Sequence, residues 1–151
     1  MDKNHILISL SESDKTSFGK QEFASQSNPQ KIFSAIWALE AEVNNGGFSL
    51  YFESAVCQTA AFVSQALEII GAPQTAAICR RAMDVAFPTG MPPDSDAISA
   101  AAQDFSDETL EELDRLDREF YRYPHNLTDL LFAYVTKHPE EFGELPQPDD
   151  A

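Results

Sequence analysis

The spacing of hydrophobic residues predicts helices along most of the chain. Residues 28–43 show the pattern first, because Asn28 is a suitable N-cap and Pro29 suits the first helical position. Apolar side chains then recur at steps of three and four residues, which favours a helix with one buried face. They are Ile32, Phe33, Ile36, Trp37, Leu39 and Val43.

The segment Asn44-Asn45-Gly46-Gly47 is expected to end this helix, because asparagine and glycine accept the left-handed backbone found at helix ends. The aromatic residues that follow it predict one or two helical turns packed inward: Phe48, Tyr51 and Phe52. Residues 56–70 predict another amphipathic helix, closed by Gly71, and Pro73 opens the next one. Residues 87–93, rich in proline, predict a loop.

The C-terminal part of the chain predicts three more helices, which begin near Asp94, after the N-cap candidate Ser106, and at residue 127. The middle one has an expected buried stripe of Leu110, Leu113, Leu116 and Phe120. The last one is expected to stop at Pro139. Because no long alternating strand pattern and no internal repeat occur, the sequence predicts an all-α fold, a single-domain bundle of roughly six or seven helices.

Three regions follow from this pattern. Residues 1–28 are serine-rich and poorly periodic, and the stretch from Ile6 to Leu10 is compatible with a short helix or a strand. Residues 29–143 are predicted to form the helical domain. Residues 144–151 are predicted to form an acidic, proline-containing tail, loose from Leu145 to Ala151.

Charge changes the picture most. The 151 residues carry 25 Asp and Glu against 10 Lys and Arg, a net charge of −15. Residues 94–151 hold 16 of these acids and only 4 of the bases. Direct binding of DNA, RNA or an anionic membrane needs a basic patch, so the sequence argues against all three and leaves a cationic partner open.

Catalytic and targeting signals are sparse. His5, His125 and His138 share no metal-ligand spacing, and the sequence predicts no metal site and no cofactor. Cys57 and Cys79 lie in helical patterns and are expected to be small buried thiols. No apolar run is long enough for a signal-peptide core or a membrane span, so a cytoplasmic protein is expected.

A dense acidic cluster is the most informative feature. Side chains three or four residues apart on a helix are neighbours, so Asp107–Glu111–Asp114 and Glu108–Glu112 form rows of carboxylates. Duplex DNA presents comparable rows of negative charge. The alternative is a merely solvated face in which Arg115 and Arg118 pair with Glu111 and Asp114. The candidate partner-binding residues are Asp94, Asp96, Asp104, Asp107, Glu108, Glu111, Glu112, Asp114, Asp117 and Glu119.

The chain resembles the DNA-mimic protein family of the DMP type, small acidic bacterial proteins. The resemblance covers most of residues 29–143, and its most specific part is the NNGGF segment. The residues that carry this motif are Trp37, Glu40, Glu42, Asn44, Asn45, Gly46, Gly47, Phe48, Tyr51 and Phe52. It continues through residues 66–72 and 116–121, and again near residues 133–135 and 138–142.

This resemblance implies an all-α fold, a homodimer, and an acidic surface that imitates DNA toward a DNA-binding protein such as a transcription regulator. Because catalytic signals are sparse, we expect this role to be non-enzymatic. Two positions depart from the family pattern, because Leu50 stands where glutamine is usual and Glu53 where asparagine is frequent. Any chemistry that this polar pair performs in relatives is absent from this chain, and the NNGGF segment is expected to serve the fold.

Two other functions remain open at this point. An acidic immunity or antitoxin protein that neutralises a basic nuclease would use the same charge complementarity. An enzyme with a small pocket near Glu40, Asn44, Asn45 and Tyr51 would need those polar groups to converge in an apolar-walled cavity.

Overall fold

A computed structural model describes residues 2–16 and 22–143, and within these residues every regular element is helical. The all-α prediction is confirmed, with seven helices longer than two turns and one single-turn helix at the end. The helices are α1 Lys3–Ser11, α2 Asn28–Glu53, α3 Ala60–Ile70, α4 Pro73–Ala86, α5 Ser95–Gln103, α6 Asp107–Tyr121, α7 Leu127–Thr136 and α8 Pro139–Phe142. The predicted loose tail at 144–151 lies outside the described residues.

Helix α2 is the centre of the fold. It contacts α3, α5, α6, α7 and α8, and α6 also packs on α4. Its apolar face is buried, as the spacing predicted, and includes Phe33, Ile36 and Leu39 at full burial. Removing a large aliphatic or aromatic side chain of this kind from water stabilises a fold by roughly 1.5–3 kcal/mol. A row of them therefore fixes α2 as the element on which the others assemble.

The start of α2 differs from the sequence prediction by one residue. Ser27, not Asn28, is the N-cap, and it forms a reciprocal capping box with Gln30. The Ser27 backbone N–H donates to Gln30 Oε1 at 3.0 Å, while Ser27 Oγ accepts from the Gln30 backbone N–H at 3.4 Å. Asn28 and Pro29 both lie inside the first turn. A glutamine three residues after the serine is what makes Ser27 the better cap.

We expect Ser27→Ala to lower the free energy of unfolding by about 1 kcal/mol. The substitution removes the hydroxyl that accepts the Gln30 backbone N–H, and so leaves the capping box with only one of its two hydrogen bonds. Asn28→Ala is the matched control and should leave stability nearly unchanged, since Asn28 is exposed within the first turn. Urea denaturation followed by circular dichroism measures both. Equal losses from the two variants would contradict the assignment of the cap.

Helices α3 and α4 form a hairpin under α2 and α6. Gly71 ends α3 in the left-handed conformation, with φ of 95°, and Pro73 begins α4, both as predicted. Cys57 and Cys79 are free and buried, also as predicted. Burial raises the pKa of Cys79 to about 12, and it raises the pKa of Cys57. Neither thiol is activated as a nucleophile.

The two ends of the described chain also pack on the bundle. The stretch around Ile6 is a helix, α1, whose buried residues face α7. Its start is capped by Asp2, which accepts the His5 backbone N–H at 2.8 Å. Pro139 does not terminate α7, which ends three residues earlier at Thr136. It opens α8 instead, and Phe142 there packs edge-on against Phe33 at 6.0 Å between ring centroids.

Candidate functional site

The predicted acidic residues lie on two consecutive helices. Asp94 is the N-cap of α5, where its carboxylate accepts the Ala97 backbone N–H at 2.8 Å. Asp96 lies exposed in the first turn of α5, and Asp104 is the exposed C-cap residue of that helix. The remaining seven lie on α6: Asp107, Glu108, Glu111, Glu112, Asp114, Asp117 and Glu119. Ser106 caps α6 as predicted.

The buried stripe of α6 is shorter than predicted. Leu113, Leu116 and Phe120 are buried, but Leu110 is 40% exposed. The stripe therefore covers only the C-terminal half of α6, which packs on α2 and α4. The first turns project from the bundle, and Leu110 lies there among carboxylates. It helps to line a shallow surface cavity of about 620 Å³, together with Asp107, Glu111, Asp114, Arg115 and Arg118.

Three carboxylates of α6 form ion pairs. Arg115 pairs with Glu112, three residues before it, rather than with the predicted Glu111, four residues before it. Arg118 pairs with Asp114 at 2.5 Å, as predicted. The third acid is Glu119, which accepts two parallel hydrogen bonds from the Arg81 guanidinium of α4, at 2.8 and 2.7 Å.

The Arg81 pair ties two helices together and shifts the two pKa values in opposite directions, each toward the charged form of its group. Hydrogen bonding to Arg81 lowers the pKa of Glu119, and hydrogen bonding to Glu119 raises the pKa of Arg81. Both side chains are largely exposed, so solvent screens most of the attraction. Sequence analysis missed this pair because its members are 38 residues apart and on different helices.

The uncompensated charge of α6 is concentrated at its N-terminal end. Asp107, Glu108 and Glu111 are exposed and form no ion pair within the described residues. Asp104 lies just before them and is also exposed. Asp107 and Glu108 lie in the first turn, where the positive end of the helix dipole favours negative charge. The junction of α5 and α6 is therefore an open acidic face, which we name the acidic junction (Asp104, Asp107, Glu108 and Glu111).

Asp117 has a different position from the other acids of α6. It is half-buried and faces α2, where its Oδ1 accepts the Phe48 backbone N–H at 2.8 Å. Burial raises the pKa of Asp117, partly offset by this hydrogen bond. The contact gives Asp117 a structural role, because it satisfies a free N–H where a helical segment restarts.

The helical segment restarts after an interruption in α2, which lies within the predicted segment Asn44-Asn45-Gly46-Gly47. The helix continues through Asn44 and Asn45 and breaks at Gly46 and Gly47, where Gly47 has φ of 80° and ψ of −177°. A Cβ atom on Gly47 would lie 2.2 Å from Asp117 Oδ2. Only glycine adopts this backbone readily, and only glycine lets Asp117 approach Phe48.

The other motif residues lie in the hydrophobic core or next to the break in α2. Phe48, Tyr51 and Phe52 are buried, and Trp37 stacks on Phe33 at 5.6 Å. Burial raises the pKa of Tyr51, whose hydroxyl lies 2.5 Å from Thr59 Oγ1. Glu42 is half-buried and Asn45 is exposed.

Two tyrosines, one at the end of α6 and one just after it, complete the same region, and sequence analysis missed both. Tyr121 donates its hydroxyl proton to the Val43 carbonyl at 2.6 Å, and the Tyr123 hydroxyl accepts from Asn44 Nδ2 at 2.7 Å. Residues 116–121 resembled the family, which is the one signal that could have found Tyr121. Asp117, Tyr121 and Tyr123 thus hold α2 in place on both sides of its glycine break.

The pocket that an enzyme would need does not form from the four predicted residues. Tyr51 bonds within the core, while Asn44 reaches outward to Tyr123. Glu40 lines a cavity near the start of α7, and Asn44, Asn45 and Tyr51 are not among its lining residues. Among the described residues, no group of three His, Cys, Asp or Glu side chains is arranged to hold a metal ion. Nor does any described helix combine the length and apolarity needed to cross a bilayer.

Burial raises the pKa of Glu40 above its ordinary value of 4.5. Above the raised pKa, the ionised carboxylate destabilises the fold, and this cost is relieved as pH falls toward 4.5. We expect Glu40→Gln to raise the melting temperature at pH 7. The gain should disappear below about pH 4.5. Calorimetry of both proteins across this pH range measures it, and an equal gain at low and neutral pH would contradict the assignment.

Comparison with known proteins gives one match. No curated protein and no solved structure matches the chain. The model of the DMP19-like protein family matches residues 24–138. The matched range contains the glycine break of α2, the Asp117 contact that supports it and the whole of the acidic junction. Because the match covers well over half of the chain, the protein belongs to the DMP19-like protein family.

Proposed function

We propose that this protein is a non-enzymatic DNA mimic that occupies the DNA-binding face of a basic protein, such as a transcription regulator. The observation that carries the proposal is the acidic junction, a set of exposed carboxylates without ion pairs among the described residues. Membership in the DMP19-like family supports the same role. The proposed contact surface also includes Asp94, Asp96, Glu112, Asp114 and Glu119. Asp117, which the sequence analysis also predicted, is half-buried and bonded to α2.

The geometry suits a charged contact. Helix α6 is anchored by Leu113, Leu116 and Phe120, so its carboxylates are displayed on a rigid support. Neighbouring side chains on one helix face have Cβ atoms roughly 5–6 Å apart, which gives a regular series of negative charges. A rigid series loses little conformational entropy on binding, and its field accelerates encounter with a basic surface.

The net charge also sets what the protein should not bind. We expect no mobility shift of duplex DNA or RNA at low micromolar protein and physiological salt. The reason is the net charge of −15, since nucleic acid affinity comes chiefly from neutralised phosphates. Electrophoretic mobility shift with labelled duplexes and transcripts measures this. A retarded band that disappears at high salt would contradict the proposal.

A decisive experiment compares the protein with DNA directly. A partner is isolated from the native cell on immobilised protein and identified, and its DNA site is then titrated against the complex. Mimicry requires mutual exclusion, so DNA should displace the protein in proportion to its affinity. A partner that binds both at once would exclude mimicry.

The acidic junction would serve equally well against a basic nuclease, and the identity of the partner separates an immunity or antitoxin role from transcriptional control. Under either role we propose a homodimer, as the family resemblance implies, and a cytoplasmic location, as the sparse targeting signals in the sequence suggest. Light scattering after gel filtration tests the dimer, since the chain mass is 16.7 kDa and a dimer has twice that mass.

A further inference from the structure

A second feature lies beside the acidic helix, in a cavity of about 470 Å³. It opens between α2 and the start of α7, away from the acidic junction. Its lining residues are Glu40, Tyr123, Asn126, Leu127 and Thr128. The volume lies in the range of small-ligand sites, roughly 300–1,000 Å³.

Glu40 is the chemically unusual residue of this cavity. Its Oε2 atom is shielded from solvent and has no hydrogen-bond partner. No lysine, arginine or histidine of the described residues forms an ion pair with it. Buried polar atoms nearly always have a partner, and a carboxylate oxygen is the costliest to leave without one. Glu40 also lines the open cavity. A turn of its side chain would bring Oε2 to the cavity, so the missing partner points to a donor supplied from outside the chain.

Tyr123 provides a fixed aromatic wall. It is the one non-glycine residue in the described ranges with a positive φ, 47°. Its ring packs edge-on against Phe120 at 5.5 Å, and its hydroxyl accepts from Asn44. The ring is thus held at both ends in a conformation that costs about 1 kcal/mol or more. Strained, over-determined residues of this kind cluster at ligand sites.

The α7 side of the cavity is polar and preorganised. Asn126 is the N-cap of α7, and its Oδ1 accepts the Asp129 backbone N–H at 3.0 Å. Thr128 follows in the first turn and adds a hydroxyl to the lining. The cavity therefore combines one carboxylate, one aromatic ring and neutral oxygen acceptors, and it contains no basic side chain.

We propose that this cavity binds a guanidinium group, as carried by an arginine side chain of a partner. A guanidinium is planar, presents a fork of N–H donors that matches a carboxylate, and packs on aromatic rings. An ammonium group offers the charge without the fork or the flat face. The site lies on α2 and α7 rather than on α6, so it does not depend on DNA mimicry.

The probe is N-acetyl-arginine amide, titrated onto the full ¹⁵N-labelled chain and followed by two-dimensional NMR. We expect saturable amide shifts at Glu40 and at residues 123–128. N-acetyl-lysine amide should bind at least about fivefold more weakly, because it lacks the fork. The citrulline analogue has the same shape without charge and should produce no saturable shift. Equal binding of the citrulline and arginine probes would overturn the proposal.

Two variants make the assignment specific. Glu40→Gln should weaken arginine binding at least about tenfold, since the charge-assisted pair is lost. It is expected to fold, because it removes a desolvated charge. The matched control is Glu42→Gln, on the same helix and also half-buried but outside the cavity, which should leave binding unchanged. Unaltered binding by Glu40→Gln, or no saturable shift in the wild-type protein, would refute the proposal.

A third variant separates this site from the proposed function. Reversal of Glu108, Glu111, Glu112 and Asp114 to lysine should leave the arginine affinity within about twofold, because none of the four lines the cavity and salt at 0.15 M screens exposed charges. Loss of probe binding in this variant alone would assign the probe to the acidic surface and overturn the cavity proposal. Loss of probe binding in Glu40→Gln alone would support the cavity site, and this result does not depend on whether the protein is a DNA mimic.

Discussion

Gly47→Val should lower the free energy of unfolding by about 3–6 kcal/mol. The backbone at Gly47 lies in a region that costs other residues about 1–3 kcal/mol. The new Cβ would also lie 2.2 Å from Asp117 Oδ2, so Asp117 must move away from the Phe48 N–H. Losing a hydrogen bond to a charged group costs about 1.5–3 kcal/mol more. Chemical denaturation and calorimetry measure the total.

Gly71→Val is the matched control for Gly47→Val. Gly71 also has a positive φ, but the nearest atom to an added Cβ is Leu130 Cδ2 at 3.9 Å. The control should therefore show only the conformational cost, about 1–2 kcal/mol. Asp117→Ala adds a second check, because it removes the clash and the hydrogen bond together. If Gly47→Val is no worse than Gly71→Val, the Asp117 contact does not support the break.

Reversing Glu108, Glu111, Glu112 and Asp114 to lysine should weaken partner binding by about 100-fold. The reversals change the net charge from −15 to −7 and place positive charge on the exposed face of α6. Most of the loss should be in the association rate, since exposed charges act chiefly on encounter. Surface plasmon resonance with the identified partner separates the two rates. Salt near 1 M should reproduce the loss in the wild-type protein, because the screening length falls to roughly 3 Å.

The control for this variant changes the same net charge elsewhere. Glu22, Glu42, Glu53 and Glu140 are solvent-accessible and lie outside α5 and α6. Their reversal to lysine should slow association far less, because the charges are dispersed over several elements. Circular dichroism should show unchanged helix content in both variants. An affinity that is unchanged by the α6 reversals, or that falls equally with the control set, would exclude α6 as the contact surface.

Local chemistry explains what the sequence predicted well. Helix ends at Gly71, Pro73, Asp94 and Ser106 follow from backbone preferences and side-chain caps within a few residues. The buried faces of α2 and α3 follow from spacing alone, because the period of a helix decides which residues share a side. The same local rules explain the one-residue error at Asn28, where the glutamine partner of Ser27 was overlooked.

By itself, the sequence determined the helical class, an interruption of the helix within residues 44–47, the concentration of acid after Pro93 and the family. Only the tertiary structure decided which of those acids are free. Asp117 and Glu119 look like Glu108 and Glu111 in sequence, but α2 and α4 supply Phe48 N–H and Arg81 as their partners. Leu110 fits the apolar stripe, yet no helix covers it. Burial and pairing between helices depend on residues far apart in the chain, and periodicity along one helix cannot report them.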